Sequence, residues 1–339
     1  MSSNIGKAEV RVVALLSGGL DSTLAIRVLQ EQGIIIEAVH FATIFSHRPR
    51  SSNRESPAKR MADQLGVKLH TIDISAEQLE MVKSPRYGHG SSMNPCIDCH
   101  IFMARKAKEL METVGAICVA TGEVLGQRPM SQHKQALQLV EKQSGLQGLL
   151  LRPLSAQLLP PTLPEQQGLI DRSKLLAIRG RSRKTQMELA ARFGITDYPT
   201  PAGGCLLTDK IFGRRLQELL DHDPDATLIE INLLRCGRHL RLDDGTKFIV
   251  ARDEEECNWL EAHRGTMATF VATDYPGPLV LASPGIPIET ARLVAAITAS
   301  YGKGRDQTKV NILWTERDTE TVLEVEPIRV DKAARYMIV

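Results

Sequence analysis

The run Arg11-Val12-Val13-Ala14-Leu15-Leu16 is short and almost unbroken in apolar character, the pattern of a strand covered on both faces. Two glycines end it, and the period then changes. Leu24, Ala25, Val28 and Leu29 fall on one face of a helix predicted over 22–32, closed by Gly33. A second buried strand follows at 34–41. The alternation continues with a helix at 55–65, a strand at 67–74, a long helix at 99–114 and strands at 116–121 and 149–151. Residues 75–98 contain Ser84-Pro85-Arg86-Tyr87-Gly88-His89-Gly90 and read as one long loop of the kind that often serves as a functional lid. Helical spacing returns at 169–193. Strands that alternate with helices predict an α/β fold, a doubly wound and mostly parallel sheet with right-handed crossovers.

Beyond about residue 212 the pattern differs. Residues 238–250 alternate around Asp244-Gly245 as a β-hairpin does, and a helix is expected at 254–263. Two short strands, a helix at 287–300 and strands at 309–314 and 321–326 complete the segment. This predicts two domains, an α/β domain at 1–211 and a smaller α+β domain at 212–339.

Composition agrees with a chain that buries two cores: of 339 residues, 42% are hydrophobic and 24% charged. No stretch reaches the roughly 18 apolar residues that span a bilayer, and MSSNIGKAEV lacks the apolar segment of a signal peptide, so a cytoplasmic location without membrane contact is expected. The net charge of +2 hides an asymmetry. Arg48, Arg50, Arg54, Lys59 and Arg60 form one basic run, Arg172, Lys174, Arg179, Arg181, Arg183 and Lys184 another, and the chain beyond about residue 215 is acidic on balance. A polyanion is expected on the first two thirds.

The chemistry concentrates at Ser17-Gly18-Gly19-Leu20-Asp21-Ser22, between the first strand and the first helix. Adjacent glycines let the backbone turn tightly and aim several N–H groups at an anion, and the helix adds its positive end. Ser17 and Ser22 add hydroxyls, and Asp21 suits an indirect Mg²⁺ ligand or a group that organises the loop. The phosphate lysine of G-x-x-x-x-G-K-[ST] is missing, and the spacing is not G-x-G-x-x-G. The six residues resemble the PP-loop of N-type ATP pyrophosphatases, an adenine nucleotide alpha hydrolase-like fold. That resemblance implies ATP cleavage between the α and β phosphates, AMP transfer to a substrate oxygen, and pyrophosphate held by the loop.

Thr121-Gly122-Glu123-Val124-Leu125-Gly126-Gln127, with Ser131-Gln132 and Arg152-Pro153-Leu154, follows the strands whose ends carry ligands in open α/β sheets. In that order these motifs resemble the core of ThiI-type tRNA 4-thiouridine synthases over residues 10–210. The C-terminal segment resembles the small RNA-binding domain of NFACT-type proteins. Such synthases usually carry an RNA-binding domain before the catalytic one, whereas few residues precede the first strand here, and no rhodanese-like segment is found. The candidate nucleotide-binding residues are Ser17, Gly18, Gly19, Asp21, Ser22, Phe41, Gly122 and Gln127.

Asn94-Pro95-Cys96-Ile97-Asp98-Cys99-His100 places a C-x-x-C at a helix start, where the helix end and His100 favour thiolate. Cys205 follows Gly203-Gly204. Related thiolation enzymes imply three readings: a [4Fe–4S] cluster on Cys96, Cys99 and Cys205, a persulfide relay between Cys205 and one of the pair, or structural zinc completed by His100 or His89. Cys118, Cys236 and Cys257 are expected to be buried and inert. The leading expectation is ATP-dependent thiolation of a uridine in tRNA or another RNA, catalysed through Asp21, Cys96, Cys99 and Cys205. Its sulfur would come from inorganic sulfide or a cysteine desulfurase, and a homodimer is left open. The rivals are an adenylating sulfurtransferase or amidotransferase for a small molecule, and a non-catalytic RNA-binding protein on a PP-loop scaffold.

Overall fold

The first apolar run becomes the central strand of a parallel sheet in the computed structural model, which describes residues 9–46, 55–198 and 204–338. Arg48, Arg50, Arg54 and Gly203 lie outside the described residues. Strands β1 (Arg11–Leu15), β2 (Ile35–Ala42), β3 (Lys68–Asp73), β4 (Cys118–Ala120) and β5 (Leu150–Leu151) pair in parallel in the order β3-β2-β1-β4-β5. Successive side chains of a strand point to opposite faces, and both faces are covered here. Val12, Ala14, Cys118 and Ala120 meet α1 (Leu20–Gln30), α2 (Pro57–Leu65) and α7 (Lys184–Arg192) in one core. Val13 and Val119 meet α4 (Cys96–Val114) and α5 (Lys134–Ser144) in the other. Completing this unit are α3 (Ser75–Lys83) and α6 (Leu163–Gln166).

Local signals explain most boundaries. Ser56 caps α2 by accepting from Lys59 N, Pro57 opens it, and Gly66 closes it in the left-handed region. Four expectations change. The supposed loop at 75–98 opens with the helix α3, whose Gln78, Leu79 and Val82 are buried at helical spacing. Its two prolines and two glycines all lie beyond that helix, among residues 84–98. The helix expected from residue 99 begins at Cys96, so the C-x-x-C occupies its first turn. Helix α5 was not anticipated, although Ala136, Leu137 and Val140 are buried along one stripe. None of 169–183 is α-helical, because the backbone N–H groups of Leu176, Ile178 and Gly180 bond to the carbonyls of Pro153, Leu154 and Leu125 instead.

The described residues divide into two compact units, with Ser91–Met93 and the chain from Cys205 onward in the second. The boundary expected at 211/212 falls inside a helix, because Asp209 caps α8 (Lys210–His222) by accepting from Phe212 N. The second unit also holds α9 (Leu228–Leu233), β6 (Arg238–Arg241), β7 (Lys247–Val250), α10 (Glu254–His263), β8 (Ala268–Ala272) and β9 (Val280–Ala282). It ends with α11 (Ile288–Ser300), β10 (Val310–Glu316), β11 (Thr319–Val325) and α12 (Val330–Ala333). Its sheet is antiparallel in the order β11-β10-β8-β9-β7-β6. Alanines and valines of α11 pack on one face. Leu233 of α9 and Leu260 of α10 join a separate core with Ile249 and Leu281.

The turn from β1 to α1 depends on Gly18. Its φ is +78°, and a Cβ there would lie 2.5 Å from Ala58 N and 2.5 Å from the carbonyl carbon of Pro57. Gly18→Ala is therefore expected to cost about 1–3 kcal/mol from backbone strain alone. Urea unfolding checks this; an unchanged midpoint would mean that the turn relaxes freely.

Candidate active site

The strand order reverses at β1, whose neighbours β2 and β4 lie on opposite sides, and open α/β sheets bind ligands at the carboxyl ends of strands beside such a reversal. Residues 17–22 leave β1 at this point and residues 121–127 leave β4. Ser22 Oγ donates to the Gly19 carbonyl at 2.9 Å and accepts from Ser17 N at 3.3 Å, which closes the loop on itself. Gly19 is the N-cap of α1 and makes no side-chain cap bond. The first-turn N–H groups of Leu20, Asp21 and Ser22 are thus left for an anion.

The second segment is fitted closely to the first. A Cβ on Gly122 would lie 2.5 Å from Ser22 N and 2.7 Å from the Asp21 carbonyl carbon. Gln127 Nε2 donates to Asp21 Oδ2 at 2.8 Å. Gln127 Oε1 in turn accepts from Gln186 Nε2 of α7 at 3.5 Å. Asp21 Oδ1 is buried with no hydrogen-bond partner. An uncommitted carboxylate oxygen beside a phosphate cradle fits a hydrated Mg²⁺, which keeps its waters and takes few protein ligands.

Behind this surface lies a buried charge cluster. Glu123 accepts from Arg152 Nε at 3.0 Å, from Thr121 Oγ1 at 3.0 Å and bonds His100 Nδ1 at 2.7 Å. Arg152 also donates to the Leu137 carbonyl and pairs with Glu141. Burial would raise the Glu123 carboxyl, but the Arg152 guanidinium and His100 outweigh it and hold it down to about 2.

Of the expected sulfur-handling residues, Cys96 and Cys99 share the first turn of α4. Cys96 is half-buried and accepts from Asn94 Nδ2 at 3.1 Å, while Cys99 is buried and accepts from Gln78 Nε2 at 3.3 Å. Cys205 is half-buried and opens the second unit. Among the described residues no three His, Cys, Asp or Glu side chains are grouped as metal ligands. Cys96 and Cys99 belong to the first unit and Cys205 to the second. A zinc site on the pair finds His89 Nε2 engaged with the Val82 carbonyl and His100 with Glu123. Phe41 is also placed differently from the expectation: it is buried among Val13, Val39, Ile74 and Ile101 in the core under α4. Cys118 and Cys236 are buried as expected, and burial pushes the Cys118 thiol up to about 12. Cys257 is half-buried.

The basic runs separate into engaged and unengaged cations. Lys59 pairs with Asp63, Arg60 with Asp197, Arg172 with Glu165 and Lys174 with Asp171. Arg179, Arg181 and Lys184 are exposed.

Residues 7–157 match the family model described as thiamine biosynthesis protein (ThiI). Nearly all of that stretch lies in the first unit. Residues 237–337 match the model described as NFACT protein RNA binding domain. A tRNA-specific 2-thiouridylase MnmA of Sulfurimonas denitrificans is 33% identical over 121 residues, which is 34% of this chain and 35% of that protein. A probable tRNA sulfurtransferase of Staphylococcus aureus (strain Newman) is 30% identical over 126 residues, 34% of this chain and 28% of that one. The chain spans about a third of the length of these curated relatives. A crystal structure of a 4-thiouridine synthetase–RNA complex with bound ATP is 20% identical, covers 66% of this chain and 52% of that chain, and superposes with a TM-score of 0.38.

Within the first unit, the partners that sequence reasoning missed are polar residues in core positions. Gln186 is fully buried one turn before the buried Ala190. A glutamine on the apolar stripe of a helix was its only signal. The Glu123–Arg152 pair gives a test. Removing one partner of a buried pair costs about 3–5 kcal/mol, and Arg152→Met is expected to lose that much at pH 7. A carboxyl held low stabilises the fold above its unfolded value of about 4.5 and loses that contribution as pH falls toward 2. Stability of the wild type should thus fall across this window by more than that of Arg152→Met. Equal acid slopes in urea unfolding would show that the pair does not hold Glu123 ionised.

Proposed function

We propose that the protein is an ATP-dependent RNA uridine sulfurtransferase that adenylates a uracil carbonyl oxygen and replaces it with sulfur. The observation that carries this reading is the seating of Gly122 on the backbone of Asp21 and Ser22, with Gln127 on the Asp21 side chain. It joins an anion cradle to the motif that the ThiI-family model covers.

The first-turn N–H groups of α1 and the hydroxyl of Ser17 receive the β and γ phosphates of ATP. Asp21, held by Gln127, keeps one carboxylate oxygen for the water shell of Mg²⁺, which would neutralise charge on the leaving pyrophosphate. Attack of the uracil oxygen on the α phosphorus expels pyrophosphate and leaves AMP on the base. Cys96, the more exposed thiol of the pair, takes the outer sulfur of a cysteine desulfurase persulfide, releasing that enzyme's thiol, and carries it as its own persulfide. Its terminal sulfur attacks the adenylated carbon, and AMP departs with the original oxygen. A second thiol, Cys99 or Cys205, attacks Cys96 Sγ, releases the thiouridine and leaves a disulfide for an external dithiol to reduce. No step needs an iron–sulfur cluster. The match of residues 237–337 to an RNA-binding family model supports RNA as substrate, with those residues gripping it.

Two measurements test this. Asp21→Ala should abolish RNA-dependent release of AMP and pyrophosphate, while Cys96→Ser should retain it and yield no thionucleoside. Mass spectrometry of nucleosides from a deletion strain should lack one thiouridine. An unchanged profile together with ATP turnover on a small acceptor would move the substrate away from RNA.

A further inference from the structure

The ion-pair pattern leaves one group of cations near the phosphate loop. A strap of chain is fastened to the loop after β4: Gly180 N donates to the Leu125 carbonyl at 2.7 Å, and Gly126 lies against Gly180, with a Cβ position 3.6 Å from its nitrogen. The strap runs Arg179-Gly180-Arg181-Ser182-Arg183-Lys184 into the N-terminus of α7, and Arg183 is the N-cap. Among the described residues its four cations have no ion pair.

Two atoms here are costly as they stand. Arg183 Nε is buried with no acceptor, and Gln186 Oε1, on a side chain with no exposed surface, is buried with no donor. An N-cap and the residue three positions on lie on the same helical turn, so the orphaned donor and the orphaned acceptor belong to residues of one turn. Gln186 is also the far end of the chain Gln186–Gln127–Asp21, so this turn faces the phosphate loop. A buried guanidinium nitrogen without a partner calls for an anion or an acceptor. Pairing Arg183 Nε with Gln186 Oε1 satisfies both atoms and leaves the two terminal nitrogens of the guanidinium as a fork, the arrangement that grips a phosphate through two hydrogen bonds.

We propose that Arg183, oriented by Gln186 and helped by the positive end of α7, binds the β and γ phosphates of ATP and the pyrophosphate that leaves. This rests on the adenylation reading. It assigns the strap to the nucleotide and not to RNA phosphates. Arg183 touches the leaving group and is catalytic in that sense. Gln186 is a positioning residue.

Calorimetry on the full chain with Mg²⁺ and, separately, ATP, inorganic pyrophosphate and AMP tests it. Arg183→Met should weaken ATP and pyrophosphate by roughly tenfold to a hundredfold, the loss of charge-assisted bonds, and leave AMP unchanged. Arg183→Lys should recover part of the loss. Gln186→Leu should weaken pyrophosphate in the wild-type background and do nothing further when Arg183 is already Met. A variant that binds ATP and pyrophosphate within twofold of the wild type overturns the assignment and leaves adenylation intact, as does a loss confined to RNA binding. A wild-type chain that binds neither ATP nor pyrophosphate overturns the adenylation reading as well. Phenylglyoxal labelling of the unmutated chain removes any dependence on variant folding: ATP and pyrophosphate should protect Arg183, AMP should not, and Arg181 should stay reactive throughout. Equal labelling of Arg183 with and without pyrophosphate contradicts the proposal.

Discussion

The site depends on the approach of two backbones. Gly122, leaving β4, lies so close to Asp21 and Ser22, leaving β1, that any Cβ would stand 2.5 Å from a backbone nitrogen. Only two neighbouring parallel strands with loops at the same end allow this, and the strand order supplies them, because the chain returns to the other side of β1 after β3. Once the two segments touch, Gln127 reaches Asp21 and Gln186 reaches Gln127. The phosphate loop is thereby coupled to a helix that follows it by more than 150 residues.

A second constraint stiffens that contact from behind. Glu123 is the residue after Gly122, and its carboxylate is fixed by Arg152 after β5 and His100 on α4. One buried charge ties together three separate segments around β4. The same α4 turn carries Cys96 and Cys99, so the thiols and the nucleotide loop are referred to a common frame through His100 and Glu123. A buried pair of this kind adds little net stability over an apolar replacement, and positional definition is the better reason for its presence here.

Much of this was legible in the chain. Unbroken apolar runs marked β1 and β2, the Ser17–Ser22 pattern marked the loop, and Asp244-Gly245 marked the β6–β7 hairpin, because each signal is local. What failed depended on distant partners. Residues 175–180 have helical spacing but bond to the segments after β4 and β5, so tertiary hydrogen bonds overrode it. Phe41 sits near the end of a strand at the ligand edge, yet strand parity turns it into the core beneath α4. Arg172 and Lys174 read as a basic face but are paired with nearby carboxylates.

The central claim is that the oxygen removed from the base is the one that takes AMP. An RNA transcript with uracil carbonyls labelled with ¹⁸O, incubated with the protein, ATP, Mg²⁺ and a sulfur donor, tests it directly by mass spectrometry of the nucleotide product. Label in the phosphate of AMP, in proportion to the thiouridine formed, is the result expected. Thiouridine formed with unlabelled AMP, or AMP formed without thiouridine, would contradict it.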